Sequence, residues 1–306
     1  MALPIITTRT SENAKISIDA SLCVNCGICA AVCVNESMTL VDGRLRLNEN
    51  TVLGCFGCGQ CVAVCPKDAI TVEGRFLSKS DFAPLEKSEK QIDFAAFKNV
   101  AAARRSIRAF KAGTPVGREA IAKIIECAAF APPSVTPSDV EALVVEGEAK
   151  VRDFAFDLLE GFKKRKFLIS KNLFKWFKPF MSKYKYDNFM TFLIPWMNIL
   201  GEKHEKGLDW LFYGAPAVVF FYGSQESMAV DVTIAATYAM LAAEALGLGT
   251  CMIGSVAPLL SMGGAALRKK YRITSEVKAG IAIIVGHPKY KYGKSIKRSF
   301  KSLRYY

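Results

Sequence analysis

A repeated run of cysteines near the N-terminus constrains this chain more than any other feature. Eight of its ten cysteines fall into two copies of the spacing C-x2-C-x2-C-x3-C. The first copy consists of Cys23, Cys26, Cys29 and Cys33, and the second of Cys55, Cys58, Cys61 and Cys65. Thiols that converge from so short a loop need small or flexible residues between them, and Gly27, Gly57 and Gly59 meet that need.

Each run has the ligand spacing of bacterial [4Fe–4S] sites, in which the fourth cysteine of one run ligates the cluster held by the other run. The runs therefore resemble those of two-cluster bacterial ferredoxins, although Val34 stands where Pro66 follows the second run. On this rule one [4Fe–4S] cluster is bound by Cys23, Cys26, Cys29 and Cys65. The second is bound by Cys55, Cys58, Cys61 and Cys33.

Zinc and disulfide bonds are the other roles that such cysteines could have. Zinc sites are usually closed by two CxxC pairs or by histidines. Here a third and a fourth cysteine follow each pair, and the chain has only His204 and His287. Disulfides need an oxidising compartment, but residues 1–21 lack the basic and apolar regions of an export signal. The pattern favours clusters, and we expect a cytoplasmic location.

The two runs form an internal repeat, and a β-like stretch follows each of them, at residues 37–41 and 69–73. We predict a ferredoxin-like domain over residues 1–78, in which bound clusters supply much of the folding energy. Polar residues 79–91 form the expected linker, and residues 92–306 are numerous enough for one further domain with its own core. The apolar run at residues 192–200 is too short to span a membrane, so we expect no transmembrane segment.

The formal net charge is +13. Acidic and basic residues balance within residues 1–80, so the excess positive charge lies in the second domain. Two oxidised clusters with their thiolates would lower the net charge to about +9. An anionic cofactor or an acidic redox partner accounts for the remainder. Nucleic-acid binding is not predicted, because no recognition motif accompanies the charge.

Five segments of the second domain follow one another in a recognisable order. They are R-R-S-I-R at residues 104–108, A-P-P-S at 131–134, a buried strand that begins with G-A-P at 214–216, an Ala-rich helix at 231–246 that continues into G-L-G-T, and a buried strand at 280–285 that ends in G-H-P. The helix is apolar nearly all round and is therefore expected to be buried. In this order the segments resemble the FMN-dependent nitroreductase family. With the N-terminal repeat, the chain resembles a ferredoxin-fused nitroreductase of anaerobic microbes.

The resemblance implies an α+β fold, in which a three-layer nitroreductase-like domain forms an obligate homodimer with FMN in a cleft at the subunit interface. By motif position, the FMN phosphate is held by Arg104, Arg105, Ser106 and Arg108, joined by Lys297 or Arg298. The residues that face the FMN of the partner subunit are Pro132, Pro133, Ser134 and Thr136. Those that lie against the flavin ring through backbone groups are Met252, Ile253 and Gly254.

No G-x-G-x-x-G motif follows a strand, so the sequence shows no Rossmann site for a nicotinamide. If NAD(P)H is used, the resemblance implies that it binds transiently over the flavin. The two cysteines outside the runs, Cys127 and Cys251, are predicted to be small buried side chains.

A basic and aromatic stretch at residues 162–192 lies within a predicted helical excursion over residues 151–210. It carries nine lysines and arginines between Lys163 and Lys185, interleaved with phenylalanine, tyrosine and tryptophan. We favour a lid or an interface helix, because variable segments near an active site often carry function. Contact with a membrane surface and docking of an acidic electron carrier are the alternatives.

Electron counting leads from these cofactors to a function. Clusters transfer one electron at a time, whereas a flavin accepts one or two and delivers a pair to an organic molecule. We therefore predict an oxidoreductase that relays electrons through two clusters to FMN and reduces small electron-poor acceptors such as nitroaromatics or quinones. Its chemistry belongs to the flavin, so no catalytic side chain is predicted, and the donor is either NAD(P)H or a reduced ferredoxin. The alternative is a non-catalytic electron-transfer subunit of a larger redox complex.

Overall fold

The computed structural model describes residues 10–48, 50–83, 93–164 and 178–306. The chain forms two compact units. One comprises Met1–Gln91 with Pro133–Asp139, and the other comprises Ile92–Pro132 with Val140–Tyr306. Pro133–Asp139 thus belongs to the first unit, although the sequence analysis placed it in the second domain. Of the predicted linker, Lys79–Asp81 forms a 3-10 turn, and residues 84–91 lie outside the described residues.

Within its described residues, the first unit contains two short helices and two small antiparallel sheets. Its helices are α1 (Ile28–Ala31) and α2 (Gln60–Val64). Its strands are β1 (Lys15–Ile18), β2 (Met38–Val41), β3 (Arg44–Leu47) and β4 (Ile70–Glu73). Strand β1 pairs with β4, and β2 pairs with β3. The β-like stretches predicted after the two cysteine runs are β2 and β4.

Glycines permit the tight loops that precede both helices. Gly27 and Gly59 occupy the positions before α1 and α2, with φ of 75° and 73° in the left-handed region. Residues with a Cβ adopt this region at a cost. A Cβ on Gly59 would also lie only 2.6 Å from Cε1 of Phe82. The backbone conformation at Gly27 and Gly59 therefore explains why glycine is needed within the cysteine runs.

The second unit is built from seven helices and four strands within the described residues. The helices are α3 (Phe94–Ala103), α4 (Arg118–Ala129), α5 (Glu148–Lys164), α6 (Lys183–Asn188), α7 (Ile194–Glu205), α8 (Ala229–Ala245) and α9 (Val256–Lys270). The strands are β5 (Glu141–Glu146), β6 (Ala217–Gly223), β7 (Gly249–Ile253) and β8 (Ala279–Gly286). The sheet has the order β5-β6-β8-β7, and all neighbouring strands are antiparallel.

Alternate residues of the central strands enter two different hydrophobic clusters. On β6, Val218 and Phe220 pack with residues of α5 and α9, whereas Val219 and Phe221 pack with residues of α4 and α8. Successive side chains of a strand point to opposite faces, so both faces of the sheet are covered by helices. The second unit therefore has the three layers expected of the predicted α+β class.

The predicted Ala-rich helix is α8, but it is not buried all round. Val232 and Ala239 on its inner face are buried, whereas Val230 is 60% exposed and Tyr238 is 40% exposed. By length and composition, the helical stretch Glu226–Ala245 could cross a membrane, and 44% of its most apolar window is buried. Because its inner face packs on the central sheet, its contacts are those of a core helix.

The basic and aromatic stretch is described only in part, because residues 165–177 lie outside the described residues. Lys178–Phe180 forms a 3-10 turn, and α6 is followed by a π-helical turn over Phe189–Leu193 that leads into α7. Ile194, Met197 and Leu200 of α7 are buried, and α7 packs against α5. The end of the stretch is thus helical, and it leads into the packed helix α7.

Helices α5 and α9 approach each other at a pair of glycines, and this contact is testable. A Cβ on Gly161 would lie 2.7 Å from the Cα of Gly263. We expect Gly161→Ala to lower the free energy of unfolding of the second unit by about 1–3 kcal/mol, because backbone would have to move. Gly201→Ala on α7 is the control, since nothing lies within 4 Å of its Cβ position. Chemical denaturation followed by circular dichroism measures both variants, and equal destabilisation would contradict the close approach.

Candidate functional sites

The eight cysteines of the two runs form two groups in the first unit. One group, here called the first cysteine set, lines a single small cavity and comprises Cys23, Cys26, Cys29 and Cys65. The other, the second cysteine set, comprises Cys33, Cys55, Cys58 and Cys61. Within it, Cys61 interacts electrostatically with the other three. Each set takes three cysteines from one run and one from the other, as the spacing predicts.

Burial raises the pKa of three of these thiols, those of Cys29, Cys55 and Cys61. Burial raises the pKa of Cys61 to about 12, and the neighbouring thiolates of its set add to this effect. Burial likewise raises the pKa of Cys29, to which Cys26 and Cys65 contribute. A positive metal centre would supply the charge that keeps such sulfurs deprotonated. The donor chemistry of both sets therefore fits a metal group.

Backbone amides are directed at several of these sulfurs. Ser37 N donates to Cys33 Sγ at 3.3 Å, and Ala69 N donates to Cys65 Sγ at the same distance. Cys33 and Cys65 are the two cysteines that cross between the runs, so the same bond occurs in both repeats. A third amide, Gly57 N, lies 3.5 Å from Cys55 Sγ. Such N–H donors stabilise the thiolate form that ligates metal.

A single zinc ion is the other metal group that thiolates could hold. Among the described residues, no group of three or more His, Cys, Asp or Glu side chains is placed to hold one metal ion. The preference for a cluster therefore depends on the ligand spacing in the sequence.

In the second unit, three distant motifs meet beside strand β7. Ile107 N donates to Thr250 O at 2.8 Å, which places the R-R-S-I-R segment against the G-L-G-T segment. Lys111 N donates to His287 O, and Lys289 N donates to Ala109 O, both at 2.9 Å. The G-H-P segment thus lies against residues 109–111, which continue the segment that contacts β7. These motifs are far apart in sequence, and the sheet brings them to one place.

An apolar cavity of about 390 Å³ opens at the end of β7. Its lining includes four of the predicted FMN residues, Arg108, Met252, Ile253 and Gly254. Phe192, from the end of the predicted lid segment, also lines the cavity, whereas sequence reasoning missed Trp196, Trp210 and Tyr213. The Arg108 guanidinium lies 5.7 Å from the centroid of the Tyr213 ring. Burial raises the pKa of Tyr213, and Arg108 opposes that shift.

A second cavity of about 620 Å³ in the same unit is basic. The cationic residues that line it are Arg105, Lys111, Lys289 and Lys291. Arg105 donates to Lys294 O and lies 4.6 Å from the centroid of the Tyr292 ring. Glu244 also lines this cavity, and burial raises its pKa against the effect of Arg104 and Arg105.

The predicted phosphate residues therefore do not all converge. Arg105 lines the basic cavity, whereas Arg108 lines the apolar one. Residues an odd number apart in an extended segment point to opposite sides, which accounts for the separation. Lys297 and Arg298 are exposed in the described C-terminal segment and are not among the residues that line either cavity. Lys289 and Lys291, directly after the G-H-P segment, are the basic residues that the sequence analysis overlooked there.

The A-P-P-S turn is divided between the two units, because Pro132 belongs to the second and Pro133 to the first. Within the first unit, Thr136 Oγ1 donates to Phe56 O at 2.6 Å, and Arg75 donates to Thr136 O. The sequence did not indicate these contacts. The expectation that Pro133, Ser134 and Thr136 face a flavin stays a prediction.

Of the two cysteines outside the runs, Cys251 is buried and Cys127 is exposed. The prediction of burial was therefore wrong for Cys127, which lies on the outer side of α4.

Comparisons with known proteins agree with this architecture. Residues 101–287 match the Nitroreductase family, and residues 22–70 match the 4Fe-4S dicluster domain. Because the first match extends over more than half of the chain, the chain belongs to the Nitroreductase family. The resemblance drawn from the sequence motifs is confirmed for both parts. No curated protein matches the chain.

Two similar solved structures are nitroreductases with bound FMN. One, from Bacteroides fragilis, is 17% identical, with 68% of this chain and 98% of that chain covered and a TM-score of 0.51. The other, from Desulfitobacterium hafniense, is 20% identical, with 68% and 97% covered and a TM-score of 0.49. The first of these likenesses shows that the second unit has the nitroreductase fold.

Proposed function

We propose that this protein is an oxidoreductase that passes electrons through two [4Fe–4S] clusters to FMN and reduces small electron-poor acceptors such as nitroaromatics or quinones. The observation that carries the proposal is the presence, in one chain, of two four-cysteine sets and a nitroreductase-type cleft. Bound clusters would supply one-electron transfer, and bound FMN would supply one- or two-electron chemistry. A cytoplasmic location suits the proposal, because thiols stay reduced there.

The first and second cysteine sets would each hold one cluster. The amides that donate to Cys33, Cys55 and Cys65 support this assignment, because N–H···S bonds are among the groups by which proteins tune iron–sulfur ligands. The high pKa that burial gives Cys61 supports it as well, since a ligated metal would keep that sulfur deprotonated.

The apolar cavity would receive the flavin ring. Its size is within the range of small-molecule sites. Met252, Ile253 and Gly254 would lie against the ring, and the cation of Arg108 would stabilise negative charge at its polar edge. Arg104 and Ser106 would bind the phosphate with Lys297 or Arg298, whereas Arg105 would fasten the C-terminal segment. The Bacteroides fragilis protein, whose fold the second unit shares, holds FMN.

The lining of the same cavity indicates the kind of acceptor. Trp196 and Trp210 offer flat apolar surfaces, and the cavity is mostly apolar. Planar aromatic or quinoid molecules pack well against such rings. Because Phe192 ends the basic and aromatic stretch and Trp196 follows it in α7, we propose that this end of the stretch acts as a lid. NAD(P)H, if it is the donor, would occupy the cleft only transiently.

We also propose that the protein is a homodimer. Helix α3 has no buried residue, although its sequence is mostly apolar, and Phe94 and Phe97 are 74% and 53% exposed. It packs against α8, whose outer face carries the exposed Val230 and Tyr238. A contiguous apolar surface of this kind is costly in water. A second copy of the chain, related by a twofold axis, would cover it with the same surface.

The role of Arg108 gives a first test of the flavin site. We expect Arg108→Ala to raise the FMN dissociation constant about 10- to 100-fold, because a charge-assisted hydrogen bond contributes about 1.5–3 kcal/mol. Arg118→Ala is the control, since Arg118 is exposed and lines neither cavity. Titration of the apoprotein followed by flavin fluorescence measures both constants. An equal or larger loss in the Arg118 variant would contradict the placement of Arg108.

The relay itself is tested by removing one ligand of the second cysteine set. We expect Cys58→Ala to abolish nitroaromatic turnover driven by reduced ferredoxin or another one-electron donor. Turnover driven by NAD(P)H should persist if that nucleotide reduces FMN directly. Cys127→Ala is the control, because Cys127 is exposed and lies outside both sets.

Two results of this experiment would count against the proposal. Undiminished turnover of the Cys58 variant with a one-electron donor would place the clusters off the electron path. If the parent protein accepted and released electrons yet reduced no nitro or quinone compound, the alternative of a non-catalytic electron-transfer subunit would be correct.

A further inference from the structure

We infer that the buried guanidinium of Arg75 makes the cluster of the second cysteine set easier to reduce than the cluster of the first set. The inference rests on the proposed function, because it assumes that both sets hold clusters. Arg75 lies outside the cysteine runs, and its positive charge would give the two halves of the repeat different electrostatic environments.

Arg75 is a charged side chain held inside the first unit. It is only 2% exposed. Its Nη1 donates to Glu12 O at 2.9 Å, and its Nη2 donates to Thr136 O. A buried cation is costly unless hydrogen bonds or opposite charges compensate it. The two carbonyl oxygens accept hydrogen bonds from the guanidinium but do not neutralise its positive charge.

The side chain of Arg75 packs against the loop that carries two ligands of the second set. Its Cδ lies 3.7 Å from the position that a Cβ would take on Gly57, between Cys55 and Cys58. Gly57 N in turn donates to Cys55 Sγ. Thr136, which accepts from Arg75, donates its hydroxyl to Phe56 O in the same loop. Arg75 thus contacts this loop directly at Gly57 and is linked to it indirectly through Thr136.

Two charged groups act on Arg75. Burial lowers its pKa, and the thiolate of Cys55 and the carboxylate of Asp139 oppose that shift. The interaction with Cys55 connects the guanidinium electrostatically to the second set. The carboxylate of Asp139 offsets part of the positive charge, so its removal should act in the opposite direction to removal of Arg75.

The internal repeat shows that the first set has no buried cation at the equivalent position, and Lys67, which lines its cavity, is exposed. Each cysteine of the second run lies 32 positions after its counterpart, because 55 − 23 and 65 − 33 both equal 32. The counterpart of Arg75 is therefore Gly43, which has no heavy atom within 4 Å of its Cβ position. Both residues adopt a left-handed φ, of 54° for Arg75 and 71° for Gly43. Glycine suits this conformation, whereas arginine adopts it under strain, and strain of this kind points to a functional constraint.

The effect of the cation follows from charge. Reduction adds one negative charge to a cluster, and a nearby positive charge in a poorly solvated site stabilises the reduced form. An electron that enters the first unit would then reside preferentially on the second set. Because Asp139 compensates in part, we expect Arg75 to change the reduction equilibrium of that cluster about tenfold, which corresponds to about 59 mV for one electron.

The test is an anaerobic redox titration of the full chain, followed by electron paramagnetic resonance. The parent should show two one-electron couples, and Cys58→Ala should remove the one of higher potential. In Arg75→Gln the higher potential should fall by about 59 mV, a tenfold change in the equilibrium, while the lower potential stays unchanged. Arg75→Lys keeps the positive charge, so its higher potential should stay close to that of the parent. Asp139→Asn should raise the higher potential, and Arg46→Gln, at an exposed cation of β3, should leave both unchanged.

The outcomes separate this inference from the proposed function. A parent protein without two iron-based couples would overturn the proposal of two clusters. Two couples that respond equally to Arg75→Gln, or not at all, would overturn the inference and leave the clusters in place. If Arg75→Gln fails to assemble its iron, the Asp139→Asn and Arg75→Lys titrations decide. A charge effect requires that Asp139→Asn raise the higher reduction potential and that Arg75→Lys leave it near the parent value.

Discussion

The exchange of one cysteine between the two runs is the constraint on which the first unit depends. Cys33 lies with the second set and Cys65 with the first, so neither half of the repeat has four thiols of its own. The buried core of this unit is small and includes Cys29 and Cys61 themselves. Bound metal would contribute to the folding of such a unit. The left-handed glycines and the N–H···S bonds serve the convergence of the sulfurs.

The second unit solves a different problem, which is to bring distant motifs together beside strand β7. Its central strands are buried on both faces, so the sheet forms a rigid layer between two groups of helices. Ile107 N of the R-R-S-I-R segment bonds to β7, and residues 109–111 bond to the G-H-P segment that continues β8. The apolar cavity opens at the C-terminal end of β7, beside Met252 and Gly254. Sites on rigid elements hold a cofactor with better geometry than sites on loops.

Local patterns in the sequence predicted much of this structure. Ligand spacing depends on a short loop, and strands such as β6 and β8 appear as continuous apolar runs, so the ligands and these strands could be inferred without the fold. Long-range contacts could not be inferred from the sequence. The contacts of Thr136 with Phe56 and Arg75, the exposed face of α8, and the separation of Arg105 from Arg108 depend on tertiary packing and side-chain direction. Lys289 and Lys291 escaped notice because the basic tail offers many similar residues.

The interleaving of the two cysteine sets is tested most directly by comparing single variants of Cys65, Cys26 and Cys58. Each cysteine is replaced by serine, and the reduced proteins are compared anaerobically by electron paramagnetic resonance. Interleaving predicts that the Cys65 and Cys26 variants alter the same cluster signal, while the Cys58 variant alters the other. If the Cys65 variant altered the signal that the Cys58 variant alters, each run would hold its own cluster, and this account of the first unit would be contradicted.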